Sequence, residues 1–158
     1  MKKITLHENM TLKEFITFAK AQPLGLFTEE VWDMLDVVRS GGSESQATYR
    51  KLVDAYLHVV LIIAKHHRGH GLDIVDLINA GIQGLHRALE LYDRSNKFLF
   101  FPNSVYWIRK FIMVAIAENN GIAAAVRSGQ TDTEEFKALI GSFNENNQRI
   151  LRLIYNLQ

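Results

Sequence analysis

The fold is decided by the stretch Gly71–Arg109, which reads GLDIVDLINAGIQGLHRALELYDRSNKFLFFPNSVYWIR. In its first half, apolar residues recur at helical spacing, which predicts an amphipathic helix from about Asp73 to Leu91. The apolar arc of this helix holds Ile74, Leu77, Ile78, Gly81, Leu85, Ala88, Leu89 and Tyr92, with Ile82 at its edge. The opposite arc carries Asp76, Asn79, Gln83, Arg87 and Glu90. Folding needs only the apolar arc, so the polar arc is available to a partner, although periodicity alone favours an ordinary solvated face.

The second half of the stretch predicts a turn and another helix. Asp93, Ser95 and Asn96 are residue types that favour turns. Pro102 is tolerated in the first turn of a helix, so we expect a helix from about Pro102 to Asn119. The aromatic residues of this half either pack in the core or face solvent. For Phe98 and Phe101, the sequence favours burial and exposure about equally.

The composition is that of a globular protein. The chain has 158 residues, of which 47% are hydrophobic and 22% are charged, enough for one domain or a domain with a short appendage. The net charge is only +1, so any nucleic-acid binding must come from a local basic patch. The chain has no Cys, which excludes disulfides and thiolate metal sites.

The chain shows no sign of membrane insertion or of a secretory leader. The first ten residues contain two lysines but no apolar run behind them, unlike a signal peptide. The longest apolar run, Val59–Ala64, is far too short to cross a bilayer. We therefore expect a soluble cytoplasmic protein with no membrane partner.

Local signals outside the opening stretch predict further helices. Thr11 and Glu14 form a capping-box pattern ahead of a helix over 12–20, and a second helix starts at Thr28 and stops at Gly41. We expect the third and longest helix to begin near 43–45 and to end within His66–Gly71, where the glycines stop it.

The C-terminal part reads as a linker followed by short helices. Residues 121–132 are rich in Ala, Gly and Ser, and helices are expected near 133–139 and 144–157. Strand-like alternation is missing over any useful length of the sequence. The predicted fold class is therefore all-α: a compact helical bundle of about five helices with one or two short C-terminal helices.

Two histidines at helical spacing are the best candidates for a metal site, but the pattern is weak. His66 and His70 lie four residues apart, but Gly69 and Gly71 interrupt the helix that would bring them together. The sequence offers no nearby carboxylate ligand and no arrangement of a nucleophile with a base. We therefore expect no metal site, no cofactor and no enzymatic activity.

The order of these motifs resembles a known protein family. Residues Leu52–Glu118 resemble region 2 of the sigma factors of bacterial RNA polymerase, the sigma-70 family. The matching residues are LVDAYLHVVLIIAKHH, Asp76-Leu77-Ile78, Gly81, Gly84-Leu85, Tyr92-Asp93, Phe98, Phe100, Phe101, Tyr106 and Trp107-Ile108-Arg109. The resemblance implies an N-terminal helical extension over 1–27, a region 2-like domain over 28–120, a linker over 121–132 and C-terminal helices over 133–158. These last helices resemble the start of the family's promoter-reading domain, which here would be truncated.

The resemblance implies two partners for this domain. In the family, the polar face of the DLI helix docks onto a coiled coil in the largest subunit of core RNA polymerase. By matching position, that role falls on Asp76, Asn79 and Gln83, with Arg87 and Glu90 extending the face. Two residues depart from the family pattern: Ala80 stands where an acidic residue is usual, and Ile82 where a polar amide is usual.

The second implied partner is the non-template single strand of melted promoter DNA. Tyr106 and Trp107 match the aromatic pair that wedges at the edge of the melted duplex, and Phe100 matches a further aromatic. Arg109 and Lys110 would contact phosphates. The departures are Leu99, Asn103, Met113 and Val114, where the family has a basic residue, a stacking tyrosine and duplex-reading polar side chains.

Three functional hypotheses remain open from the sequence. The first is a sigma-70-type transcription initiation factor that binds core polymerase and helps to recognise or melt promoter DNA. The second is a degenerate sigma-like regulator that binds polymerase or another protein without melting DNA. The third is an unrelated helical scaffold whose aromatic residues are only core. An anti-sigma protein is a further partner compatible with the resemblance.

Overall fold

The computed structural model describes residues 4–5 and 9–158 and confirms the all-α class. Two short antiparallel strands, β1 (Ile4–Thr5) and β2 (Asn9–Met10), pair Ile4 with Met10. The helices that follow are α1 (Leu12–Lys20), α2 (Thr28–Arg39), α3 (Ser45–Asp54), α4 (Leu57–His66), α5 (Ile74–Leu91), α6 (Phe100–Asn119), α7 (Ile122–Ser128), α8 (Glu134–Gly141) and α9 (Glu145–Tyr155). Within the described residues, no helix has both the length and the apolar content needed to cross a membrane.

Helix starts lie close to where the local signals predict them. Thr11 and Glu14 form the expected capping box, in which the Thr11 hydroxyl accepts from the Glu14 N–H at 3.2 Å and the Glu14 carboxylate accepts from the Thr11 N–H at 3.2 Å. Asp73 caps α5 by accepting from the Asp76 N–H at 2.9 Å. Each cap satisfies backbone donors that the helix leaves without partners.

The prediction of a single helix from 43–45 to the glycine-containing segment His66–Gly71 is wrong. The structure has two helices there, α3 and α4, separated at Ala55 and Tyr56. A tertiary contact explains the break. The Tyr56 hydroxyl accepts from the Leu26 N–H at 3.1 Å, and the Ala55 carbonyl accepts from the Gly25 N–H at 3.0 Å. The turn before α2 therefore holds the chain between α3 and α4. Burial raises the pKa of Tyr56 to about 12, so its hydroxyl stays protonated at neutral pH.

The segment 121–132, which the sequence predicts to be a linker, contains helix α7. Gly121 has a φ of 80°, and this left-handed conformation lets the chain reverse and start a new helix directly after α6. Ile122 and Ala123 at the start of α7 are buried. This part of the chain therefore packs against the domain rather than crossing open solvent.

Helix α2 supports the turn between α5 and α6. The Arg39 guanidinium donates to the carbonyls of Leu89, at 3.1 Å, and Tyr92, so it caps the C-terminal end of α5. Arg94 in the turn forms ion pairs with Asp33 at 3.0 Å and Asp36 at 2.6 Å. A cation at the C-terminal end of a helix suits the helix dipole, so Arg39 both orders the last turn of α5 and ties it to α2.

The core is built around the contact between α5 and α6. A Cβ atom on Gly84 would lie 2.4 Å from the carbonyl oxygen of Trp107 and 2.9 Å from the Cα of Ile108. A Cβ on Gly81, one turn earlier, would lie 2.9 Å from Val60 on α4. Gly84 therefore lets the backbone of α6 approach α5 more closely than any side chain would allow, and Gly81 leaves room for the Val60 side chain.

We predict that Gly84→Ala destabilises the protein. The added methyl group has no room against the α6 backbone, so we expect the free energy of unfolding to fall by about 1–3 kcal/mol despite the better helix propensity of Ala. Urea denaturation followed by circular dichroism measures this change. Gly141→Ala is the matched control, because a Cβ there meets nothing within 4 Å. Equal stability of the two variants would contradict the proposed close packing.

Candidate functional site

The polar face of α5, defined as Asp76, Asn79, Gln83, Arg87 and Glu90, lies on the side of the helix away from the core. Gln83 and Glu90 are exposed, and the other three are half-buried. Residues on the opposite side, such as Leu77 and Leu85, are fully buried. The helix thus presents the same polar row that its periodicity predicts.

The two departures from the family pattern have different structural meanings. Ala80 lies half-buried beside the polar face, so an alanine in place of the family's usual acidic residue removes a negative charge from that surface. Ile82 has only 1% of its surface exposed and belongs to the core. Its apolar side chain therefore stabilises the fold and removes nothing from the exposed face.

The polar face continues onto helix α3 through a pair of rings. The Tyr49 hydroxyl and the Nδ1 atom of His86 are 2.7 Å apart, and the two rings are stacked with their centroids separated by 5.6 Å. Burial raises the pKa of Tyr49, and the Glu90 carboxylate raises it further, so the hydroxyl keeps its proton. Neither residue is among those predicted from the sequence, although His86 lies at helical spacing from Gln83 and Glu90.

The charges on the polar face are of both signs. Arg87 and Glu90 form an ion pair at 3.0 Å whose side chains are 42% and 66% exposed. An exposed pair of this kind contributes only about 0.3–0.5 kcal/mol to stability. These charges are therefore available for exchange with a partner at little cost to the fold.

Phe100 does not lie on a surface. Its ring is fully buried and packs edge-on against Tyr56 and Tyr92, with ring centroids 5.1 Å and 4.9 Å away. Its N–H donates to the Thr28 hydroxyl at 3.1 Å, which fixes the start of α6 against α2. A nucleic-acid base cannot reach this ring in the folded protein, so Phe100 is withdrawn from the predicted DNA-binding residues and assigned to the core.

Tyr106, Trp107 and Lys110 form one group, the aromatic–lysine cluster. Tyr106 is 51% exposed, and its ring packs edge-on against Trp107 at a centroid distance of 5.5 Å. The Lys110 ammonium lies 4.9 Å from the centre of the Trp107 ring and 5.9 Å from that of Tyr106. A cation held over two aromatic rings makes a surface that offers both stacking and positive charge.

Arg109 is directed away from this cluster. Successive helical residues are rotated by about 100°, so neighbours in sequence point to different sides of α6. The positive charge of Arg109 is one of the causes that lower the pKa of His67, which places the guanidinium near the end of α4. The basic pair expected from the sequence is therefore divided between two surfaces.

Large apolar side chains lie exposed near the start of α6. Phe98 is 74% exposed, and Leu99 and Phe101 are also exposed, so the structure places both phenylalanines that the sequence left open at the surface. Leu24 and Phe27 from the turn before α2 are exposed too, and a Cβ built on Gly25 would lie 3.2 Å from the Phe101 ring. Together these five side chains form an apolar patch.

Comparison with known proteins finds relatives of part of the chain. No protein-family model matches it. The chain is 32% identical over 90 residues to "RNA polymerase sigma factor SigA" of Lactococcus lactis subsp. cremoris, covering 57% of this chain and 25% of that protein. It is 36% identical over 93 residues to the protein of the same name from Clostridium acetobutylicum, covering 59% of this chain and 24% of that one. The chain contains a sigma-70 family region.

The sigma-70 family region accounts for part of each protein only. The chain spans about a quarter of the length of the curated relatives it matches. A third relative, "RNA polymerase sigma factor SigA2" of Synechococcus elongatus, is 35% identical over 77 residues, covering 49% of this chain and 24% of that protein. The similarity therefore concerns about half of this chain.

We predict that the phenylalanines near the start of α6 contribute unequally to the stability of the protein. Phe100→Ala removes a fully buried ring and should lower the free energy of unfolding by about 3–5 kcal/mol. Phe98→Ala, its exposed neighbour, should change that free energy by less than about 0.5 kcal/mol. Urea denaturation of both variants measures the difference. If Phe100→Ala is as stable as the wild type, the assignment of Phe100 to the core is contradicted.

Proposed function

We propose that the chain is a sigma-70-type transcription initiation factor that binds core RNA polymerase and helps to recognise or melt promoter DNA. The observation that carries this proposal is the similarity to named sigma factors, combined with an exposed polar face on the matching DLI helix. The role is one of binding rather than catalysis. The partners are core polymerase and promoter DNA, and each is assigned to a separate surface.

The polar face of α5 is proposed to dock onto the coiled coil of the largest polymerase subunit. Coiled coils expose rows of charged residues beside their apolar seam, and a face with Asp76, Arg87, Glu90 and two amides complements such a row. The ion pair between Arg87 and Glu90 is exposed, so either partner can turn towards the coiled coil. The Tyr49 and His86 rings lie beside this face and would adjoin the same partner.

The aromatic–lysine cluster is proposed to contact unpaired bases of the melted promoter. Stacking of a base on an aromatic ring recovers about 1–3 kcal/mol, which offsets the cost of taking the base out of its own stack. Tyr106 is half exposed and Lys110 supplies a positive charge within 6 Å of both rings. The exposed rings of Phe98 and Phe101 provide further stacking surface near the start of the same helix.

A specific observation favours the alternative, a sigma-like regulator that binds polymerase or another protein, such as an anti-sigma protein, without melting DNA. Met113 has no exposed surface, and Asn103 stands where the family has a stacking tyrosine. An apolar, buried side chain cannot hydrogen-bond to base edges in a groove. We therefore do not assign sequence-specific recognition of duplex DNA to this part of α6.

We predict that Asp76→Ala combined with Gln83→Ala weakens binding to core polymerase. Loss of one carboxylate and one amide contact should raise the Kd by at least about tenfold, because each charge-assisted hydrogen bond contributes about 1.5–3 kcal/mol. Biolayer interferometry with purified bacterial core polymerase measures this change. Gln130→Ala with Asp132→Ala is the matched control, since it removes the same two side-chain types from exposed positions before α8.

The outcomes of this experiment are separable. Both double variants should melt within a few degrees of the wild type, so a change in affinity reports on the face itself. If the wild type does not bind core polymerase, the proposed function and its regulator alternative both fail. If it binds but the two double variants bind equally well, the docking face lies elsewhere on the protein.

We predict that Trp107→Ala weakens binding of single-stranded promoter DNA. Loss of one stacked base should raise the Kd by about 5- to 150-fold, as expected from about 1–3 kcal/mol per base. Fluorescence anisotropy with a labelled non-template strand, in the presence of core polymerase, measures this change. Tyr155→Ala on α9 is the control, since Tyr155 is half-buried and lies outside the cluster. Binding that is absent, or indifferent to Trp107, supports the regulator instead.

A further inference from the structure

The end of helix α4 forms a junction with helix α9. His67 caps α4 and is only 4% exposed, and its Nδ1 atom lies 2.8 Å from the Ile63 carbonyl. On α9, Asn147 and Leu151 are buried, and the Asn147 side chain lies near the imidazole of His67. The Nε2 atom of His67 makes no hydrogen bond of ordinary geometry, so the ring is buried with one polar atom unsatisfied.

The same junction is closed by contacts around His70. The His70 ring stacks on Phe143, which precedes α9, with centroids 4.3 Å apart and an angle of 19° between the planes. The amide of Asn120, after the end of α6, donates to the His70 carbonyl at 2.9 Å. The turn after α4 therefore contacts both the start of α9 and the end of α6.

The electrostatic surroundings of His67 are positive. Burial lowers its pKa from 6.5, and the charges of Arg109 on α6 and His70 on the turn lower it further, while the Ile63 carbonyl and Asn147 act in the opposite direction. The residues next to His67 in sequence include further basic side chains, Lys65, His66 and Arg68. Among the described residues, no carboxylate is a resolved cause of this shift. The neutral imidazole is therefore the form that this junction stabilises.

We propose that α9 is a clasp that stays seated on α4 and α6 while His67 is neutral and is released when His67 takes up a proton. A proton on His67 would create a buried cation near Arg109, and no carboxylate in the described part of the chain is a resolved influence on His67 that could offset it, so protonation in place is strongly unfavourable. Release of α9 restores water to the imidazole. The helix has only 11 residues and two of them are buried, so releasing it exposes less of the core than any movement of α5 or α6.

The sign of the pH dependence follows from the depressed pKa. With α9 released, His67 is solvated and its pKa returns towards 6.5; with α9 seated, the pKa is lower. Between these two values the released form binds more protons, so acidification favours release. The seated form is fully favoured above about pH 6.5 and is lost progressively as the pH falls below that value.

This clasp controls one side of α6. Helix α9 packs against α6, and Arg109 faces the His67 junction, whereas Tyr106 and Lys110 lie on a different side. Release of α9 would therefore uncover the surroundings of Arg109 and leave the aromatic–lysine cluster intact. The proposal rests on the junction alone and holds whether or not the chain binds polymerase.

Amide hydrogen exchange of the whole protein tests the clasp. Protection of the α9 peptide, corrected for the intrinsic exchange rate, should fall by about threefold to tenfold between about pH 7.5 and about pH 5.5, while protection of α5 is unchanged. His67→Gln should abolish this pH dependence in α9, and His58→Gln, on the same helix, should leave it intact. Protection of α9 that is equal at both pH values in the wild type, or that falls equally in His67→Gln, overturns the proposal.

A second measurement does not depend on any variant folding. Titration of the histidine ring signals by NMR in the wild-type protein gives the pKa of His67 directly. A pKa clearly below 6.5, reached together with shifts of the α9 amides, supports the clasp. A pKa at or above 6.5, or α9 amide signals that do not move as His67 titrates, overturns it.

Discussion

The contact between Gly84 and the backbone of Trp107 is the constraint on which the rest of the structure depends. With no side chain at Gly84, α6 lies against the backbone of α5, and the carbonyl of Trp107 occupies the space that a methyl group would need. The polar face of α5 and the aromatic–lysine cluster of α6 are carried by these two helices. Their relative position is therefore set by backbone packing, which is stiffer than contacts between flexible side chains.

Helix α2 and the turn before it provide the second layer of support. Arg39 caps the end of α5, the Thr28 hydroxyl receives the first N–H of α6, and Arg94 ties the intervening turn to α2. The rings of Tyr56, Tyr92 and Phe100 fill the space behind that turn. Because Phe100 is held inside, its two neighbours in sequence are directed outwards, which produces the apolar patch.

Much of the fold could be predicted because its signals are local. The capping residues Thr11 and Asp73 and the periodicity of α5 depend only on residues a turn or two away. The break between α3 and α4 could not be predicted, because it depends on the Tyr56 hydroxyl and a turn 30 residues earlier in the sequence. Residues 121–132 read as a linker because small residues suit either a flexible segment or a tightly packed helix.

The candidate site shows the same limit. The polar arc of α5 follows from spacing, but its extension through Tyr49 depends on how α3 packs, which no pattern within α5 reveals. Adjacent residues are the hardest case. Phe100 and Phe101 have the same side chain, yet the rotation of α6 against its neighbours buries the first and exposes the second. Arg109 and Lys110 are both cations, yet the same rotation directs Arg109 towards His67 and Lys110 into the aromatic–lysine cluster.

The Tyr56 hydrogen bonds also have a consequence for where the domain begins. The hydroxyl bonds to the backbone of Leu26, and the Ala55 carbonyl takes the N–H of Gly25, while β1 packs against α5 with Ile4 fully buried. A protein shortened to start at Thr28 would leave a buried hydroxyl and a buried carbonyl without partners. We therefore expect a protein that starts at Thr28 to be less stable than one that keeps Gly25 and Leu26.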